Sequence, residues 1–230
     1  MAAHSMRYAF DGISLQNKRP SNMDSLLLTQ RLIQDTPALL AVVCDGVGSL
    51  ADGAVAAGTV ARMLSDWFGR VDTAERLGLR LRDAILDINA HILAESKAQN
   101  YATASTLSAL LLVDSGFTIA HIGDSRVYCL ENDALSVLTN DDISETGKLT
   151  ACIGRSEEIF LHYSEGRADG KTFLLCSDGL YKRMDSAFMA AKLREQKKKA
   201  FKECLGVLPQ YVIERGEHDN ITLALVKIEN

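Results

Sequence analysis

Proline is scarce, with three residues in a chain of 230, and no stretch rich in proline, serine and glycine interrupts the sequence. That excludes a long flexible linker. With no internal repeat and no low-complexity segment, residues 6–230 read as one domain. Positive charge is also in short supply: the net charge is −5, which argues against nucleic acid as a partner. No apolar run reaches the roughly 20 residues that span a membrane, and no signal peptide opens the chain, so no membrane partner is expected. The five cysteines, Cys44, Cys129, Cys152, Cys176 and Cys204, show no paired metal-ligand spacing. Four sit in apolar runs, as small buried reduced side chains do, and a cytoplasmic setting follows. Met1-Ala2-Ala3-His4-Ser5 carries no pattern and is read as an unstructured leader.

What is present is organised around Val42-Val43-Cys44-Asp45-Gly46-Val47-Gly48. The apolar run 39–43 reads as a buried strand, and the glycines as a tight turn at its end. Asp45 then stands at the mouth of a sheet beside backbone that a ligand can approach closely. A carboxylate there needs a partner. The N-terminus of a helix over 51–68 is one, and a metal ion is another; this stretch alone leaves both open.

Strands are expected over 7–15, 25–30, 39–44, 106–113, 117–122, 127–130, 135–139, 173–176 and 221–228. Helices are expected over 51–68, 75–97 and 184–208, the first two with apolar stripes at helical spacing. Strands in runs joined by short turns, with helices in pairs, predict an α+β fold with antiparallel sheets.

Four further acids sit at strand ends as Asp45 does. Asp24 opens a strand, Asp124 follows residues 118–123, Asp178 follows residues 173–177 and precedes Gly179, and Asp219 precedes the last strand. Each alone reads as a turn or cap residue. Together at one sheet edge they would repel and raise one another's pKa. A hard divalent cation relieves that conflict, and all-oxygen ligation suits magnesium or manganese.

The ordered set of motifs resembles the metal-dependent protein serine/threonine phosphatases of type 2C (the PPM family) in their compact bacterial form. Arg19-Pro20-Ser21-Asn22-Met23-Asp24 is similar to the family's Arg-x-x-Asn-Glu-Asp, and Asp45-Gly46-Val47-Gly48 to Asp-Gly-x-Gly. Ala104-Ser105-Thr106 stands where the family has Gly-Thr/Ser-Thr. Gly123-Asp124-Ser125-Arg126, Leu138-Thr139-Asn140-Asp141, Leu149-Thr150-Ala151-Cys152-Ile153-Gly154, Ser177-Asp178-Gly179 and Asp219-Asn220 follow in family order. The resemblance implies a sandwich of two antiparallel β-sheets flanked by pairs of α-helices. It implies that Asp45 bridges two manganese or magnesium ions with the Gly46 carbonyl on the second, and that Asp178 and Asp219 complete the first. Asp24 would hold metal-bound water, Asp124 would form a third, weaker site, and Arg19 would clamp phosphate oxygens. The implied reaction is hydrolysis of phosphoserine and phosphothreonine in a phosphoprotein, reversing a cytoplasmic kinase.

Three departures bear on this reading. Met23 replaces the family's Glu and removes a carboxylate near the second metal; a thioether is a poor magnesium ligand. Val47 stands where eukaryotic relatives carry a histidine. The stretch 141–149 is too short for the family's flap subdomain, which is expected to be largely absent. Met23 also motivates the alternative of a catalytically weakened phosphoprotein-binding module; a metal-dependent nuclease fits the acidic charge poorly. His91 and His121 read as core or surface fillers and His218 as a neighbour of the site. Lys192, Arg194, Lys197, Lys198, Lys199 and Lys202 read as a solvated basic face, with docking of an acidic partner as the alternative.

Overall fold

The computed structural model describes residues 7–48, 52–195 and 201–229. The expectations for residues 1–5 and for Lys197, Lys198 and Lys199 lie outside them. In chain order the elements are β1 (Arg7–Leu15), β2 (Asp24–Ile33), β3 (Thr36–Asp45), α1 (Gly53–Arg70), α2 (Leu77–Gln99), β4 (Leu107–Val113), β5 (Gly116–Ile122), β6 (Arg126–Glu131) and β7 (Ala134–Val137). They continue with β8 (His162–Arg167), β9 (Thr172–Cys176), α3 (Asp178–Tyr181), α4 (Ser186–Glu195), α5 (Lys202–Glu214) and β10 (Ile221–Glu229).

Two five-stranded sheets form, in the orders β1-β10-β9-β6-β7 and β2-β3-β4-β5-β8, and the paired strands run antiparallel. Side-chain alternation divides the core into three layers. On β3, Ala38, Leu40, Val42 and Cys44 pack under α1 and α2, whose inward residues include Leu64, Phe68, Leu81 and Ile85. Leu39, Ala41 and Val43 point the other way, into the space between the sheets, where they meet Phe173, Leu175, Ala224 and Val226. Leu174, Cys176, Leu223 and Leu225 face the second helix layer, with Leu193, Leu208 and Val212. Strands covered on both faces read as unbroken apolar runs even in antiparallel sheets, which is why 39–43 and 173–176 were legible.

Tight turns set the register. Gln34 and Asp35 between β2 and β3, and Asn132 and Asp133 between β6 and β7, all hold positive φ, the backbone hand that two-residue hairpins need to match strand twist. Residues 138–161 carry no helix or named strand, only short bridges such as Ile143 to Leu149, so the flap is reduced to a small hairpin.

The structure departs from the sequence expectations at the end of the last helix and at β8, and the short α3 was not expected either. Of the helix expected over 184–208, residues 196–200 lie outside the described residues; α4 and α5 stand on either side, and α5 runs on through Pro209 to Glu214 because Leu205, Leu208 and Val212 continue one buried stripe. Strand β8 was not expected. Its sequence is polar, its outer half is exposed and it pairs with β5 alone, so it has no alternation to read.

Phe173 is fully buried between the sheets, edge-on to Phe117 at 5.2 Å. Replacing it with alanine is expected to cost about 3–5 kcal/mol. Urea unfolding should show a lower midpoint with an unchanged slope, since the change opens a void without altering the surface exposed on unfolding.

Candidate active site

Both sheets end at the same edge of the sandwich, and the acids stand there. Asp24 opens β2 and Asp45 closes β3, directly opposite one another in the ladder. Both share the parity of the residues that point between the sheets. From the other sheet, Asp178 follows β9 and Asp219 precedes β10. Asp124 comes from the turn between β5 and β6. Arg19, Met23, Asp45, Gly46, Val47, Thr106, Asp124, Leu149, Asp178 and Asp219 line one cavity of about 440 Å³. Asp24 lies buried beneath it. All the acids named from the sequence are therefore brought together, and so are Arg19 and Gly46.

The motifs explain themselves as backbone anchors. Thr106 Oγ1 accepts from the Asp45 amide at 3.0 Å and shares a hydrogen bond of 2.7 Å with Ser125 Oγ. The Thr106 amide and Ser105 Oγ both donate to the Asp45 carbonyl. Glycine follows Asp45 because a Cβ at Gly46 would lie 2.3 Å from the backbone of Gly53 on α1, and it follows Asp178 because one at Gly179 would lie 2.0 Å from the Asn220 carbonyl oxygen. No real side chain tolerates such contacts. Asn220 binds the 16–23 loop: its Oδ1 accepts from the Met23 amide, and its Nδ2 donates to the carbonyls of Gln16 and Ser21. Arg126 is fastened to Asp141 by two-pronged hydrogen bonds and lies 3.7 Å from the centre of the Tyr181 ring. The Tyr181 hydroxyl in turn donates to the Asp124 carbonyl at 2.9 Å.

The charges are less comfortable. Burial, with Asp178 and Asp219 nearby, pushes the Asp24 carboxyl up to about 7, although hydrogen bonds from Thr222 and Ser177 oppose the rise. Burial also lifts Asp45 well above the carboxylate range, and the charges that add to it are the other acids, Asp24 first. Burial and Asp178 raise Asp124 to about 6. At Asp219 burial works upward too, but hydrogen bonds and charge from Arg19 outweigh it and hold the carboxyl below its usual range.

Two side-chain cations answer part of this negative charge. Arg19 donates from Nε and Nη2 to the two oxygens of Asp219, each at 2.7 Å. Lys182 donates to Asp178 Oδ2. With both outer carboxylates so turned, no three acidic, His or Cys side chains among the described residues close on one point. The donor set still fits a hard divalent cation. It is all oxygen, and its central member, Asp45, is surrounded by negative charge.

Four contributors were not singled out from the sequence. Ser177 Oγ crosses between the sheets to Asp24 Oδ2 at 2.8 Å. Glu217 Oε1 accepts from the amides of His218 and Asp219, so this acid shapes the approach to Asp219. The Tyr181 hydroxyl supports the Asp124 turn. Lys182 stands one helical turn beyond Asp178, a spacing that was the available signal. His121 is fully buried between Ser108 and the Asn140 carbonyl, a core residue, and His91 is a surface residue beside Glu95.

Raised carboxyls make stability depend on pH. Above about pH 4 the folded protein in chelator keeps a proton on Asp24 up to about pH 7 and on Asp124 up to about pH 6 that the unfolded chain has released, and the raised Asp45 acts in the same direction, so stability falls as pH rises through that window. Asp219 acts oppositely, losing its contribution only in more acid solution. A carboxyl displaced upward by one pH unit corresponds to about 1.4 kcal/mol, or about 3–5 °C in a chain of this size. Thermal unfolding in chelator should therefore give a Tm lower at about pH 8 than at about pH 5, and Asp24→Asn should flatten that slope.

Comparison with known proteins accords with this geometry. The sequence model of the family described as Protein phosphatase 2C matches residues 18–208. The chain is 32% identical over 213 residues to the serine/threonine phosphatase stp of Listeria innocua, an alignment covering 82% of this chain and 84% of that one. It is 27% identical over 241 residues to the serine/threonine protein phosphatase PstP of Mycobacterium tuberculosis, covering 91% of this chain and 43% of the longer relative. Among solved structures, the fold superposes on Stp1 from Staphylococcus aureus with a TM-score of 0.85 at 23% identity, spanning 98% of this chain and 96% of that one. It superposes on the catalytic domain of PstP, solved in complex with two manganese ions, with a TM-score of 0.80 at 25% identity, spanning 98% and 99%. A family match running from the Arg19 loop into α5, together with close kinship to stp over most of both chains, means that this chain belongs to the protein phosphatase 2C family and is a protein serine/threonine phosphatase.

Proposed function

We propose that residues 6–230 act as one catalytic unit that uses two divalent cations, manganese or magnesium, to hydrolyse phosphoserine and phosphothreonine in proteins, and that it reverses a cytoplasmic serine/threonine kinase. The observation that carries this reading is the meeting of carboxylates from both sheets at one cavity, three of them held above their ordinary pKa. The five free, buried cysteines suit a reducing compartment. The PstP relative with its two manganese ions supports the choice of cofactor.

Asp45, Asp178, Asp219 and the Gly46 carbonyl would hold the two ions, with Asp124 at a third, weaker position. When bound, such cations supply the Lewis acidity that lets water attack phosphorus at neutral pH. The protein's own groups do the rest. Asp24, buried and held by Ser177, orients water from beneath. Arg19, half exposed at the rim, exchanges Asp219 for the phosphate oxygens, which its planar fork fits. The small 142–150 hairpin leaves one wall of the cavity low, with Leu149 the hairpin residue that lines it, so an extended phosphopeptide can enter.

The direct test is phosphate release from a phosphothreonine peptide. Release is expected with manganese and not in chelator, and Asp178→Asn is expected to abolish it with an unchanged circular dichroism spectrum. Equal release in chelator would overturn the metal-dependent reading. Peptide binding with no release under any condition would instead indicate the weakened binding module that Met23 suggests.

Met23 lines the cavity, its amide held by Asn220 and its carbonyl accepting from Gly46. Met23→Glu is therefore expected to lower the manganese concentration for half-maximal rate by about tenfold. Manganese activation curves and calorimetric titration of both proteins measure it.

A further inference from the structure

Asp219 reaches the cavity from a short loop, and that loop contains a second acid. Helix α5 ends where the amides of Arg215 and Glu217 both donate to the Val212 carbonyl, and Gly216 turns the chain at a φ of +79°. Only His218 then separates Glu217 from Asp219. The Glu217 side chain is buried and is not part of the cavity lining. Its Oε1 accepts from the amides of His218 and Asp219 at 2.8 and 2.9 Å. Its Oε2 lies 3.4 Å from Nε of Arg183, just past the short helix that begins at Asp178. One buried carboxylate therefore joins the segment that carries Asp178 to the segment that carries Asp219. Arg19 holds Asp219 in another way. It grips the carboxylate, and that grip ends when Arg19 turns to phosphate. Glu217 holds the backbone instead, and Asn17 Nδ2 helps by donating to the carbonyls of Glu217 and Asp219, each at 2.9 Å.

We propose that Glu217 is a positioning residue for the first divalent ion: it presets the backbone of Asp219, so that an ion held by Asp178 and Asp219 need not order this loop. The inference rests on the metal-dependent reading above. The ion pair with Arg183 contributes little by itself, because the guanidinium is half exposed. The two amide bonds are what the loop cannot replace, since they satisfy both donors with one buried acceptor. An uncharged side chain that keeps the acceptor oxygen therefore preserves most of the effect. Without that oxygen the ion must supply the order itself. Its affinity falls, but the site it finally forms is the same, so turnover at saturating metal is kept. An acid that merely capped α5 would behave differently: its loss would lower Tm and leave the metal affinity of the folded protein unmoved.

Calorimetric manganese titration of proteins shown folded by circular dichroism tests it, read beside turnover of a phosphothreonine peptide at rising manganese. Glu217→Ala is expected to weaken manganese at one of the two sites by about 10–100-fold, with turnover at saturating manganese close to that of the wild type. Glu217→Gln is expected to recover most of the lost affinity. Hydrogen exchange adds a measurement on the wild type alone, which holds even where Glu217→Ala does not fold. The stretch 215–220 is expected to be equally protected in chelator and in manganese. Manganese affinity unchanged in Glu217→Ala overturns the role of Glu217 and leaves the metal-dependent reading standing. So does Glu217→Gln binding as weakly as Glu217→Ala, or wild-type protection of 215–220 that appears only with manganese. No manganese bound by the folded wild type overturns both readings.

Discussion

Carboxylates from both sheets meet where the sandwich ends, and low-dielectric surroundings make each of them costly to ionise beside the others. Positive charge is the common requirement. In the structure it comes from Arg19 at Asp219 and Lys182 at Asp178, while Asp45 stays buried among the other acids. The backbone architecture serves that arrangement. Thr106 and Ser105 hold Asp45 by its amide and carbonyl rather than by its carboxylate, so the oxygens that face the cavity stay available. Asn220 does the same for the loop that carries Arg19, Met23 and Asp24.

The two sheets are also tied together through this end. Ser177, from the sheet of β9 and β10, donates to Asp24 on the other sheet and accepts from the Thr222 amide. The hydrogen bond that orients a site residue is thus one that closes the sandwich. Gly46 against Gly53, and Gly179 against the Asn220 carbonyl, show the same economy of space: each glycine after a site aspartate is where two stretches of backbone touch.

Much of this was legible in the chain because doubly covered strands write themselves as apolar runs, and each run here ends in an acid. Residues 39–43 before Asp45 and 173–177 before Asp178 are the clearest cases. What stayed hidden had no local pattern. Strand β8 is an edge strand whose six residues alternate nothing. Helix α5 runs on through Pro209 to Glu214, although a proline usually marks where a helix stops. Ser177 is an ordinary small polar residue until a second sheet places Asp24 above it. Arg19 was expected to face phosphate, and its pairing with Asp219, 200 residues away, is visible only once β10 lies beside the N-terminal loop. Lys182 was overlooked because a lysine at the end of a helical turn is usually a solvent-facing residue.

Strand β10 lies inside its sheet, between β1 and β9, and β1 pairs along its whole length with it, from Arg7 opposite Glu229 to Leu15 opposite Ile221. During synthesis β1 therefore waits for β10, and a nascent chain that has not yet yielded residue 219 lacks both the partner of β1 and Asp219. Long-range pairing of this kind is slow to form. A chain cut short on the ribosome before residue 219 thus carries most of the motifs yet lacks Asp219, Asn220 and the strand that joins β1 to β9.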